Sequence, residues 1–118
     1  MQKYRCDQFE ALTYFDAIPD FECLKHTPRD YLEKCIEQIA NREQDVKAFV
    51  TLNLESARQL ADESSQRWKD ARQLSLIDGM PLGIKDLLET FDMPTQMGSE
   101  AYNGYAPGND NAWVWALR

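Results

Sequence analysis

Two stretches of this chain carry apolar residues at helical spacing. In the first, Tyr31, Leu32, Cys35, Ile36 and Ile39 recur three and four positions apart and form one stripe. Thr27 can cap it, Pro28 takes the first helical position, where a missing N–H costs nothing, and Asp30 meets the positive end of the helix dipole. These signals predict a helix from Thr27 to Asn41. In the second, Ala57, Leu60, Ala61, Ser64, Trp68 and Ala71 trace one side while Glu55, Arg58, Asp62, Gln66 and Lys69 cover the other, with Gly79 and Pro81 punctuating its end. Before it, Val46 to Leu52 alternates, placing Val46, Ala48, Val50 and Leu52 on one face of a predicted strand. Met80 to Asp86 reads as a short buried strand, with Met80, Leu82 and Ile84 opposite Pro81, Gly83 and Lys85.

The ends are less regular. A short helix is expected over Phe9–Phe15, with a break at Ile18-Pro19. Thr90 to Gly108 is rich in Pro, Gly, Thr, Asn and Ser and reads as a long irregular excursion of the kind that often carries function. Asp110 is the expected N-cap of a last helix, Ala112 to Leu117, which is apolar all round and so suits an interior. The order helix, strand, helix, strand points to an α/β arrangement rather than a bundle.

Composition narrows the function classes. The chain has 118 residues, 43% hydrophobic and 11% aromatic, enough for a core and the size of one domain or part of a larger one. Thirteen basic residues against twenty acidic ones give a net charge of −7, which argues against a nucleic-acid partner. Apolar runs fall well short of the roughly 20 residues of a spanning helix, so no membrane partner is expected. The N-terminus has neither the apolar block nor the cleavage pattern of a signal peptide. Cys6, Cys23 and Cys35 fit neither a zinc clamp nor a disulfide framework, so a reduced, cytoplasmic protein is expected, with Cys35 as a buried small hydrophobe.

Most candidate chemistry is weak. Gly79 to Lys85 has the wrong spacing and no hydroxyl for a phosphate loop. His26 has no metal-ligating neighbours at the right spacing, and no metal or cofactor is expected. Asp86 and Glu89 form a carboxylate pair that a helix start explains equally well. Lys85 matters most. A lysine on an apolar strand is usually an edge residue reaching solvent, but Gly83 and Pro81 leave its flank of the strand bare for other elements to close around the amine.

The run Asp78-Gly79-Met80-Pro81-Leu82-Gly83-Ile84-Lys85-Asp86, followed by Met93-Pro94-Thr95, Met97-Gly98-Ser99, Pro107 and Asp110 to Arg118, resembles the amidase signature family. Val46 to Leu52 and the Ala-rich helix after it are similar to that family's first strand and helix. The resemblance runs from about Thr27, leaving 1–26 as an N-terminal extension and 27–118 as the N-terminal portion of an amidase domain. It implies part of an α/β core with a mixed sheet, incomplete in this chain. It also implies hydrolysis of small-molecule carboxamides to acid and ammonia or amine by a Ser–Ser–Lys triad, with no cofactor. Lys85 matches the family's catalytic lysine, whose neutral amine draws a proton from the nucleophilic serine through a bridging serine held in a cis peptide. Such an amine must be kept uncharged by enclosure.

The family's Gly/Ser-rich segment, which carries both serines and the oxyanion hole, lies further downstream. Ser56, Ser64, Ser65, Ser75 and Ser99 are not in a Gly-rich elbow, and Ser99 matches a loop position of the family near the lysine, which suits a wall residue or one supporting the site from behind rather than the nucleophile. The chain alone is therefore expected to be inactive. Looser relatives transfer ammonia onto misacylated tRNA, which the acidic balance does not favour here. The competing expectation is a standalone interaction module. In that reading Trp113 and Trp115 bind a hydrophobic partner; in the amidase reading the remaining C-terminal portion covers them.

Overall fold

The computed structural model describes residues 13–118, so Cys6 and most of the helix expected over Phe9–Phe15 lie outside the described residues. Among the described residues, four α-helices follow in order: α1 (Tyr14–Glu22), α2 (Pro28–Val46), α3 (Leu54–Lys69) and α4 (Ala112–Leu117), with a 3-10 turn at Glu100–Tyr102. No strand forms among the described residues, and one isolated antiparallel bridge joins Thr90 to Met93. The expected α/β layering with a mixed sheet is therefore not seen.

The helical signals hold best at α2. Thr27 and Asp30 exchange bonds in a full capping box, with Thr27 N–H donating to the Asp30 carboxylate at 2.9 Å and Asp30 N–H to Thr27 Oγ1 at 3.2 Å. The helix runs past Asn41 to Val46, because Arg42, Glu43 and Gln44 are good helix formers and nothing stops it sooner. Lys47 ends it in the left-handed conformation, φ 52°. In α3, capped by Asn53, the inward face is Ala61, Ser64, Ser65 and Trp68. Leu60 stays 45% exposed, and the helix stops at Lys69, well before Gly79, with Ala71 left-handed.

At α1 the expected break fails: the helix passes through Ile18-Pro19. Tyr14, Ile18 and Phe21 share a buried face, while Pro19 points to solvent. Packing outweighs the hydrogen bond that proline removes. Tyr14, Ile18, Phe21, Tyr31 and Trp68 make the core, with Ala17, Cys35 and Met80 packed against it. The rings meet edge to face, Tyr14 on Tyr31 at 5.1 Å and Phe21 on Trp68 at 5.6 Å between centroids. Cys35 is half-buried there, and burial pushes its thiol pKa up. A polar seam aligns α2 with α3: Glu33 takes Arg58 Nε at 2.7 Å and Arg29 Nε at 2.9 Å, and these guanidinium bonds pull its carboxyl down to about 2.

Both expected strands are absent for one reason. Alternation becomes a strand only when neighbouring backbone supplies hydrogen bonds, and here none does. Val46 belongs to α2, residues 48–52 are irregular, and Phe49, Val50 and Leu52 are exposed. Residues 80–85 are likewise irregular rather than a buried strand.

Candidate active site around Lys85

Asp78 and Gly79 fix where the chain leaves the core for Lys85. The Asp78 carbonyl accepts the Tyr14 hydroxyl and, at 3.0 Å, the Trp68 indole N–H. Its carboxylate accepts Arg67 at 2.8 and 2.6 Å and Leu74 N–H at 3.0 Å. The Arg67 guanidinium holds the Asp78 carboxyl below the usual carboxylate range, against the opposing effect of burial. Gly79 then turns with φ +90° against Ser64 and Pro28, where a side chain does not fit. Met80 packs on the core, and five residues later the chain reaches Lys85.

Lys85 is exposed, so the described residues do not by themselves enclose its amine. It lines an open groove of 370 Å³ together with Ala48, Phe49, Val50, Ile84, Asp86 and Leu88. Its carbonyl accepts Leu87 N–H at 2.7 Å and Leu88 N–H at 2.9 Å, so a turn follows it rather than the helix start considered for Asp86 and Glu89.

Asp86 latches the next loop to this turn. Its carboxylate accepts Gln96 N–H at 2.7 Å and its carbonyl accepts Met97 N–H at 3.0 Å. Met97 and Gly98, both left-handed, thereby become part of the groove wall. Ser99 is exposed just beyond that wall and caps the 3-10 turn without a side-chain bond. Glu89 is engaged elsewhere, with Tyr105 Oη at 3.2 Å and Asn109 Nδ2 at 3.0 Å, so Asp86 and Glu89 do not work as a pair. The latch role of Asp86 escaped the sequence reading, although an acidic residue after the lysine and a Gly-containing loop ten residues on were its signal.

No serine hydroxyl reaches the groove lining among the described residues. Ser56 Oγ contacts Asp92 at 3.4 Å, Ser65 donates to Ala61 O at 2.6 Å, Ser75 accepts Ile77 N–H, and Ser64 is buried beneath Gly79. Groups of three or more His, Cys, Asp or Glu side chains able to hold a metal are absent among the described residues.

The far end of the loop departs from expectation. Asn111, not Asp110, caps α4, accepting Trp113 N–H at 3.0 Å. Asp110 instead accepts Phe91 N–H at 3.0 Å and pairs with Arg118 at 2.9 Å. Arg118 also reaches Asp92 at 2.7 Å and lies 4.5 Å from the centre of the Phe91 ring. Only Val114 of α4 is buried; Trp113 and Trp115 are each 75% exposed, because one and a half turns meet cover on a single side. The helix is apolar all round but is not interior.

The profile of the family described as Amidase matches residues 30–118. The chain belongs to the amidase family. A glutamyl-tRNA(Gln) amidotransferase subunit of Chloroflexus aggregans is 35% identical over 81 residues, covering 69% of this chain and 17% of that protein. Its human mitochondrial counterpart is 32% identical over 81 residues, 69% of this chain and 15% of its own length. The mitochondrial counterpart of Ixodes scapularis is 32% identical over 97 residues, 82% of this chain and 19% of its own length. The chain thus spans less than a fifth of the length of the curated relatives it matches. No solved structure matches it. Among the described residues, no helix is long and apolar enough to cross a membrane.

Proposed function

We propose that this chain supplies the lysine arm of an amidase that hydrolyses small-molecule carboxamides, with Lys85 as its general base. The reading rests on one observation: the family match runs through Lys85, and Lys85 lines the 370 Å³ groove among the described residues. In the complete site the neutral Lys85 amine takes a proton from a bridging serine. That serine takes one from the nucleophile as its Oγ attacks the amide carbonyl. The proton passes to the leaving ammonia or amine, and water releases the acid from the acyl-enzyme. Both serines and the oxyanion donors come from the four-fifths of an amidase that this chain does not match. The same sequence would close over Lys85 and remove it from water, as an uncharged base requires.

That remainder also supplies a cover for Trp113 and Trp115, which a standalone module would have to find in a separate partner. The net charge of −7 favours a small amide over RNA as the substrate of this chain's site. Cys23 and Cys35, both free thiols, fit a reducing compartment such as the cytoplasm.

The test replaces the matched stretch of the Chloroflexus aggregans protein with residues 30–118 of this chain and follows ammonia release from simple carboxamides. Activity should appear in the chimera, and Lys85→Met should lower kcat by about 10³-fold or more with the fold unchanged. The 118-residue chain alone should release no ammonia. Turnover by the short chain, or a Lys85→Met chimera that keeps its rate, would overturn the reading.

A further inference from the structure

Asp86, the residue after Lys85, spends both of its acceptor groups on one short stretch of a loop ten residues on. Its carboxylate takes Gln96 N–H and its carbonyl takes Met97 N–H. The preceding N–H, from Thr95, goes to the Tyr105 carbonyl at 2.8 Å, and Ser99 N–H turns back onto the Gln96 carbonyl at 3.0 Å. The backbone donors of Thr95, Gln96 and Met97 are therefore all committed, and the last two end on Asp86. Thr95 is 1% exposed, so the stretch is also anchored from behind.

This stretch holds an unfavourable shape. Met97 and Gly98 follow one another in the left-handed region, φ 56° and 64°, and the Cβ of Met97 disfavours it there. A non-glycine residue persists in that region where its surroundings over-determine the backbone, and the bond from Met97 N–H to Asp86 is such a constraint. Lys85, Asp86, Met97 and Gly98 all line the same groove. One aspartate thus ties the turn that carries the amine to the strained wall beside it.

A carboxylate next to a lysine can act in two ways. Its charge would favour the ammonium form, which opposes a base. Its oxygens can instead serve as acceptors, and at 2.7 Å from a peptide N–H this is how the Asp86 side chain is used.

We propose that Asp86 is a positioning residue of the amidase site: as an acceptor, not as a charge, it locks the Lys85 turn to the 96–98 wall and so fixes where the amine meets the bridging serine. The inference rests on the reading of Lys85 as the base.

The test uses the chimera described above. Asp86→Ala should lower kcat by about 10²-fold with KM within about threefold, because a displacement of about 1 Å at a reacting group costs that much. Asp86→Asn keeps an acceptor oxygen at the same reach and should recover kcat to within about fivefold of the parent. Asp86→Leu, close to asparagine in shape but without an acceptor, should stay as slow as Asp86→Ala. In the 118-residue chain, Gln96 amide exchange should quicken by about tenfold or more in the Ala and Leu variants and not in the Asn variant. Helical circular dichroism should stay unchanged in all three, since the aromatic core does not include Asp86. The exchange measurement needs no turnover, so a variant chimera that does not fold leaves the proposal exposed to refutation: unchanged Gln96 exchange in Asp86→Leu overturns it. Asp86→Ala with the parent kcat overturns it too, as does a raised KM at unchanged kcat, which would make Asp86 a substrate contact. Asp86→Asn as slow as Asp86→Leu would make charge the operative property and overturns it equally. A Lys85→Met chimera that keeps its rate sinks the base and this proposal with it. Loss of activity in Lys85→Met alongside full activity in Asp86→Ala sinks the positioning role alone.

Discussion

Gly79 sits where the backbone passes from the helical core toward Lys85, and a Cβ built on it would lie 2.4 Å from Ser64 Oγ and 2.7 Å from Pro28 Cβ. Pro28 is the first residue of α2 and Ser64 lies midway along α3, so neither can withdraw without moving a helix. Gly79→Ala therefore combines a left-handed backbone with a clash and should cost about 3 kcal/mol, read as a lower urea midpoint at unchanged slope. Its neighbour Asp78 has a carboxylate that is 3% exposed and doubly bonded to Arg67. Because Arg67 holds the folded pKa of Asp78 below its unfolded value, the folded state binds the proton less readily. The stability from this pair is thus fully present above about pH 4 and lost as pH falls through the folded value. Asp78→Asn should cost about 2–3 kcal/mol at pH 7, less than a fully enclosed pair because Arg67 is 31% exposed. The gap to the parent chain should close as the pH drops below 4, a trend that urea titrations across pH would show.

At the scale of elements, helices that carry their own evidence were legible and structures that need a partner were not. Thr27, Pro28 and Asp30 marked the start of α2 to the residue, because a capping box is local chemistry. Its end was misplaced by five residues because the stop, Lys47 with φ 52°, uses a residue type that gives no sign of being left-handed. Lys47→Gly should consequently stabilise the chain by about 0.5–1 kcal/mol, measured by thermal unfolding, since glycine takes that conformation without a Cβ penalty. Ile18-Pro19 misled in the opposite direction: a breaker motif was absorbed because Tyr14, Ile18 and Phe21 had Tyr31 and Trp68 to pack against. The alternation at Val46–Leu52 and Met80–Asp86 predicts strands that do not form, because a ladder depends on residues far away in sequence. Lys85 stands out through Gly83 and Pro81 on its flank and through the resemblance carried by Asp78 to Asp86, while its exposure depends on the same distant residues and is not legible from them.

Over the whole molecule, order is divided between two regions with different sources of stability. The α1–α3 unit closes around Tyr14, Phe21, Tyr31 and Trp68, a buried aromatic cluster. From Asp86 to Arg118 the chain is held chiefly by carboxylates: Asp86 on Gln96, Asp110 on Phe91 N–H, Asp92 and Asp110 on Arg118. These bonds are partly buried, Asp110 at 7% and Asp92 at 13% exposure, but they fasten the loop and α4 to each other without an aromatic core, and Val114 and Thr95 add little buried apolar area. The second region should therefore open without unfolding the first. The three tryptophans divide the same way, which makes the difference measurable. Trp68 is 5% exposed and bonded to the Asp78 carbonyl, whereas Trp113 and Trp115 are already in solvent. Fluorescence followed through urea unfolding should report one transition, carried by Trp68 and removed by Trp68→Phe, with Trp113→Phe and Trp115→Phe leaving it in place. Amides of α2 and α3 should exchange only through that transition, while those of Gln96, Met97 and Phe91 exchange through openings that cost several-fold less free energy. Equal protection across both regions would mean that the carboxylate-fastened loop is coupled to the aromatic core more tightly than its buried surface explains.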